Sequence, residues 1–262
     1  MSSRVRRGAV AVIAAGALAG MGVLAEPALV RIPIELQQNF APSVTGEAQA
    51  GFSRASWTQW NQDSEPDYYR IVSAACVDED VSPGEVCYSD LDSLGRAGRV
   101  AACVTAQMVE EGTASEREDM SSLFPSGWGH NEKVLIQNPD GSYYRGYFYN
   151  RSHLLAKSLG GEARLENLIC GTRTQNVGAN VSGAGGMAYP ETIARNWLRE
   201  NPDGNVWYCA TPVYEGSELL PRSVIVDVKS SDGTIDLEVE VFNTARGYAI
   251  NYATGEFSKE GE

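Results

Sequence analysis

Tyr149-Asn150-Arg151-Ser152-His153-Leu154 is the stretch on which this sequence turns. It holds one of the two histidines in the 262 residues, with an arginine two positions before it. It continues the run Tyr143-Tyr144-Arg145-Gly146-Tyr147-Phe148-Tyr149, whose aromatic content suits a strand. Downstream lies a second polar cluster, Gly171-Thr172-Arg173-Thr174-Gln175-Asn176. Imidazole takes up a proton near neutral pH. Guanidinium pairs with phosphate oxygens, and an amide oxygen suits a hard cation such as magnesium. Together these are the parts needed to cut a phosphodiester beside one metal ion.

The order of the motifs resembles the DNA/RNA non-specific endonucleases, and closely the DNA-uptake nucleases of Gram-positive bacteria. That family carries Asp-Arg-Gly-His, with an Asn-Arg-x-His variant like the one at 150–153. The likeness extends over roughly residues 85–257. Upstream it includes Pro125-Ser126-Gly127-Trp128. Downstream come Leu155 to Gly161, Glu166-Asn167-Leu168-Ile169, Gly171-Thr172-Arg173, Gln175-Asn176-Val177 and Met187 to Arg195. Thr211 to Gly216 and Ile250 to Gly255 resemble its C-terminal strands. The resemblance implies a ββα-metal (His-Me finger) nuclease fold, and products with 5′-phosphate and 3′-hydroxyl ends.

Around the motif, Val134–Gln137 and Tyr143–Tyr149 read as two strands joined by Asn138-Pro139-Asp140-Gly141, a strong hairpin signal. His153 is expected just after the second strand. Gly178–Gly186 reads as a glycine-rich loop. Pro190 suits a first helical turn, with Glu191–Arg199 continuing the helix. Ile193, Ala194 and Trp197 would form its apolar face, with Glu191 and Arg195 spaced i,i+4 on another. Val100–Val104, Val206–Tyr214, Ser223–Lys229, Leu237–Phe242 and Tyr248–Tyr252 read as strands, with a turn at Ser231–Thr234. Ala114–Met120 is expected as helix or loop. The order predicts an α+β domain with a central antiparallel sheet.

The amino terminus is read apart from this domain. Arg4, Arg6 and Arg7 precede an uncharged, mostly apolar Gly8–Ala25. This is the pattern of a secretory signal over residues 1–25, with an uncleaved membrane anchor as the alternative. Residues 26–53 read as a linker or weakly ordered arm and 54–262 as the nuclease domain. Contact with a membrane is expected only if the N-terminal segment stays attached.

The whole chain has a formal net charge of −13. Removing residues 1–25 takes away three of the 21 basic residues and none of the 34 acidic ones, leaving −16. Such a balance argues against tight nucleic-acid binding. Locally the sign reverses. Between 145 and 175 stand Arg145, Arg151, Lys157, Arg164 and Arg173 against Glu162 and Glu166. An acidic body with a basic cleft suits an exported enzyme that releases its product.

Five cysteines in an exported chain suggest disulfides with one thiol left over. Cys76–Cys87 and Cys170–Cys209 are the pairings considered. None shows CxxC spacing, which argues against zinc or thioredoxin-type chemistry.

His153 is the expected general base, although a lone histidine after a tyrosine-rich strand is more often structural. Asn176 is the expected magnesium ligand, with manganese as a substitute ion. Alone, it would pass for a turn or cap residue. Asn180 and Asn167 are its competitors. Glu191 is expected to hold water in the metal's outer shell, or only to complement a helix N-terminus. Arg151, Arg173 and Arg195 are candidates to neutralise the scissile phosphate. Asn150 and Gln175 join Arg151 and Arg173 as candidate substrate contacts. Asn150 replaces the family's more frequent Asp, which removes a charge-based role there. His130 is taken as structural or surface. The expected partner is DNA, with RNA as a further substrate, and no stable protein partner is evident. The rival function is a secreted binding or scaffold protein with a degenerate nuclease fold.

Overall fold

In a computed structural model of the protein, residues 60–116, 118–179 and 185–261 are described. The expected signal segment, the linker, residues 54–59 and Asn180 lie outside them. All described residues fall within one compact unit, Phe52–Glu262.

The strands of the main sheet come from both ends of this unit. β1 (Tyr69–Ser73), β2 (Val86–Tyr88) and β3 (Val100–Thr105) precede the motif region. Helix α1 (Ala106–Ala114) follows β3 directly, where Thr105 caps it by accepting a hydrogen bond from the Met108 amide. Next come the hairpin β4 (Lys133–Gln137) and β5 (Tyr143–Tyr147), the pair β6 (Tyr149–His153) and β7 (Leu168–Thr172), and helices α2 (Arg173–Val177) and α3 (Ala188–Glu200). β8 (Asn205–Val213), β9 (Ser223–Ser230) and β10 (Asp236–Phe242) return to the sheet, and β11 (Tyr248–Ile250) and β12 (Phe257–Lys259) form a final ribbon. The sheet runs β1-β10-β9-β8-β3-β2 with every neighbouring pair antiparallel.

Strict alternation explains how this sheet packs. Val100, Ala102 and Val104 of β3, Val206, Tyr208 and Ala210 of β8, and Val224, Val226 and Val228 of β9 share one face. That face buries Ala194 and Leu198 of α3 and Val109 of α1, with Leu154, Leu155 and Leu159 from the loop after β6. Helix α3 begins at Ala188, slightly before the expected start, with Pro190 inside its first turn. The opposite face carries Asp227, Glu238 and Glu240, and Arg70 holds the buried Glu240 carboxylate at 2.7 Å.

A second core lies under the motif region. Ile136, Phe148, Tyr149, Cys170 and Leu220 are buried in it, with Phe257 stacked on Phe148 at a centroid distance of 3.9 Å. This core corrects the expectation of one continuous strand over 143–149. The chain changes partners at Phe148: β5 pairs with β4, whereas β6 pairs with β7. Asn131 secures the break, its side chain accepting from the Tyr149 amide at 2.8 Å and donating to the Tyr149 carbonyl at 2.9 Å. His153 therefore ends β6 rather than following it, paired across the strands with Leu168.

The disulfide expectation is also corrected. All five cysteines are free thiols. Cys170 is buried in the second core, whereas Cys209 packs with Cys103 and Val81 in a separate cluster, so the Cys170–Cys209 bridge is not formed. Cys76 and Cys87 are exposed and unbridged.

Candidate active site

Three short elements build the site. β6 and β7 pair over their full length, from Tyr149 opposite Thr172 to His153 opposite Leu168. At the end of β7 the Thr172 hydroxyl caps α2 by accepting from the Gln175 amide at 3.0 Å, which turns the chain straight into the helix. Asn176, one turn in, comes back beside β6, where the Ser152 hydroxyl donates to Asn176 Oδ1 at 3.2 Å. Gly171 makes this crossing feasible. A Cβ there would stand 2.3 Å from Gln175 Oε1 and 2.7 Å from Ser152 Cβ.

The result is a cleft of about 700 Å³. Asn150, Arg151, His153 and Asn176 line it from the strand–helix side. Lys157, Glu118, Trp128 and Tyr147 complete the walls. Four of the expected site residues thus meet in one cavity. Arg151 is firmly held there: it donates to the carbonyls of Leu123 and Ser121, and its guanidinium lies 4.2 Å from the Trp128 ring centroid. Lys157 donates to the carbonyls of Gly112 and Ser115, anchoring the end of α1 to the cleft.

Arg173, Gln175, Glu191 and Arg195 are not among the residues lining the cleft. Arg173 packs over Tyr144 at 5.0 Å, and burial pushes its guanidinium below the ordinary arginine range. Gln175 is fully buried, and among the described residues neither atom of its amide has a hydrogen-bond partner. Arg195 reaches Ser158 at 3.0 Å and Thr192 at 2.9 Å. Glu191 is partly buried, and desolvation pushes its carboxyl up to about 8 against the pull of Arg195. The first turn of α3 nonetheless starts close to α2, since the Met187 amide donates to the Gln175 carbonyl at 2.8 Å. Of the five local basic residues, Arg151 and Lys157 line the cleft. Arg164 is paired with Glu166 and Glu162, and Arg145 is exposed on β5. His130 is exposed, as expected.

Two buried asparagines brace the site: Asn167, which the sequence offered only as a rival metal ligand and which is not among the residues lining the cleft, and Asn243, which it did not single out. Asn167 accepts from the Leu155 amide at 2.9 Å and donates to the carbonyls of Leu155 and Glu162. It thereby closes the loop that follows His153. Asn243, just past β10, accepts from the Thr172 amide at 2.8 Å and donates to the carbonyls of Cys170 and Pro221. It ties the end of β7 to the main sheet.

The donor set fits a hard cation. Asn176 offers a neutral oxygen, and among the described residues no group of three or more His, Cys, Asp and Glu could hold a metal. A divalent cation that keeps several waters and takes few protein ligands suits such a site.

The sequence profile of the DNA/RNA non-specific endonucleases matches residues 72–258. The chain belongs to this family. A deoxyribonuclease of Streptococcus dysgalactiae subsp. equisimilis is 31% identical over 238 aligned residues, covering 72% of each protein. The solved structure of Sda1 nuclease with bound zinc ion superposes with a TM-score of 0.73 at 34% identity, covering 77% of this chain and all of that one. NucA from Streptococcus agalactiae, solved with a magnesium ion bound, shares the fold, with a TM-score of 0.55 at 21% identity over 73% of this chain and 90% of that one. The chain therefore has the ββα-metal nuclease fold that the resemblance implies.

Proposed function

We propose that this member of the family is a secreted, magnesium-dependent endonuclease that cuts DNA, and RNA as well, with little sequence preference. The observation that carries this reading is the convergence of His153, Asn176 and Arg151 on one cleft. His153, at the open end of β6, takes a proton from the attacking water. Arg151, already oriented by the Leu123 and Ser121 carbonyls, turns its positive charge toward the scissile phosphate. Asn176 Oδ1, oriented by Ser152, holds the metal. A magnesium ion there, or manganese in its place, supplies positive charge against the negative charge that develops on the phosphate. Glu191 remains the candidate for ordering water near that ion, because α3 starts against α2. Arg173 and Arg195 act from behind the cleft, Arg173 packing on Tyr144 of β5 and Arg195 tying α3 to Ser158. Contacts to phosphate rather than to base edges explain the low sequence preference.

Export rests on residues 1–25, with their basic start and apolar run. Among the described residues no helix is long and apolar enough to cross a membrane. Incubating purified residues 26–262 with plasmid and with RNA, with magnesium and with EDTA, tests the activity. Cleavage of either substrate that stops with EDTA is the expected outcome. Intact substrates under all conditions would favour the scaffold reading instead.

A further inference from the structure

The hairpin β4–β5 has two unlike faces. Val134, Ile136 and Tyr144 point into the second core. The other face is open, and the register places Lys133 opposite Tyr147, Leu135 opposite Arg145 and Gln137 opposite Tyr143. Tyr143 is 56% exposed, Tyr147 53% and Leu135 45%, which are high values for large apolar side chains. An open face of this kind is suited to an interaction. In a chain of net charge −13, this face carries two cations and no carboxylate. It is also continuous with the cleft, because Tyr147 lines both.

Building on the nuclease reading, we propose that the outer face of the β4–β5 hairpin binds an unpaired nucleic-acid strand leaving the cleft. Its bases stack on Tyr147 and then Tyr143, and its phosphates meet Lys133 and Arg145. The spacing supports this path. Residues 143, 145 and 147 point the same way, so the two tyrosines stand about 13 Å apart along the strand with Arg145 between them. Aromatic rings accept any base, because every base has a flat π-face, while the cations follow the backbone. Lys133 already lies 5.6 Å from the Tyr147 ring centroid, so the first cation and the first ring form one unit. A base held in a duplex has both faces covered by its neighbours and cannot use such a platform. The hairpin therefore favours single strands and locally opened duplex, a preference separate from the chemistry at His153.

The test is fluorescence anisotropy of the full chain in EDTA with labelled oligodeoxythymidine, and with the same strand paired to oligodeoxyadenosine. Because binding is read without cleavage, the result stands apart from the nuclease reading, which plasmid cleavage by the wild type reports. Tyr143→Ala should weaken single-strand binding by about tenfold and duplex binding by less than about twofold, and Tyr143→Phe should restore it. Arg145→Ala should lower the slope of log affinity against log salt by about 0.7 on the single strand. An unchanged single-strand affinity in Tyr143→Ala, or an equal loss on the duplex, would overturn the proposal.

Discussion

His153 matters through its place at the end of β6, one strand-width from Leu168 and open to the cleft. If it is the base, His153→Ala should lower cleavage by about 10²-fold or more with an unchanged circular-dichroism spectrum. Added imidazole should recover part of the loss. Turnover at the wild-type rate in the folded variant would remove His153 from the chemistry. At this scale the sequence was informative where a residue type is rare or chemically special. A histidine two positions after an arginine stands out, and so does an amide at the family's ligand position. The roles of Asn131 and Asn243 were not legible, and Asn167 was read only as a rival metal ligand. Each acts by hydrogen-bonding backbone that is distant in sequence, and an isolated asparagine carries no mark of that. The basic count over 145–175 misled in part, because Arg164 is spent on Glu166 and Glu162 and Arg173 on Tyr144.

At the scale of elements, the unit β6–β7–α2 depends on how its end is fastened. Asn243 makes three hydrogen bonds from a fully buried position, so Asn243→Ala leaves the Thr172 amide and two carbonyls short of a partner. A loss of about 2–4 kcal/mol is expected in urea unfolding. Cleavage should fall with it under conditions where the variant remains folded. A stability equal to wild type would show that the latch is dispensable. Helix α3 gives a pH signature. Burial raises the Glu191 carboxyl from its ordinary value of 4.5 to about 8 in the fold. The proton-bound form is thus favoured by folding, and the stabilisation is complete below about pH 4.5 and lost as pH rises through about 8. Glu191→Gln should flatten the decline of melting temperature over that window in metal-free buffer. A decline as steep as in the wild type would show that Glu191 does not titrate there. The strands were readable because their apolar residues alternate, as in β10, or run on continuously, as in β8 and β9. Helix α1 was missed. Gly112 interrupts its pattern, yet the structure uses that glycine for close approach, since a Cβ there would lie 2.2 Å from the Lys157 carbonyl oxygen. The break at Phe148 was hidden for a similar reason: a run of tyrosines and phenylalanine reads as one strand until its partners are known.

For the whole molecule, the distribution of charge is the unifying feature. A body of strong negative charge keeps nucleic acid from binding everywhere, and Arg151, Lys157, Lys133 and Arg145 gather on the cleft and its adjoining hairpin. The fold class was legible because motif order and strand periodicity agree across the domain. The disulfides were not, because cysteine number carries no information about which thiols face one another. Cys170 and Cys209 occupy different cores. The central claim is that His153 and Asn176 form one metal-dependent hydrolytic centre. The most direct measurement is the magnesium dependence of plasmid relaxation by the wild type and by Asn176→Ala. The account predicts saturable activation of the wild type, with Asn176→Ala inactive or needing far more magnesium. Equal activation of the two proteins, or cleavage by the wild type that persists in EDTA, would contradict it.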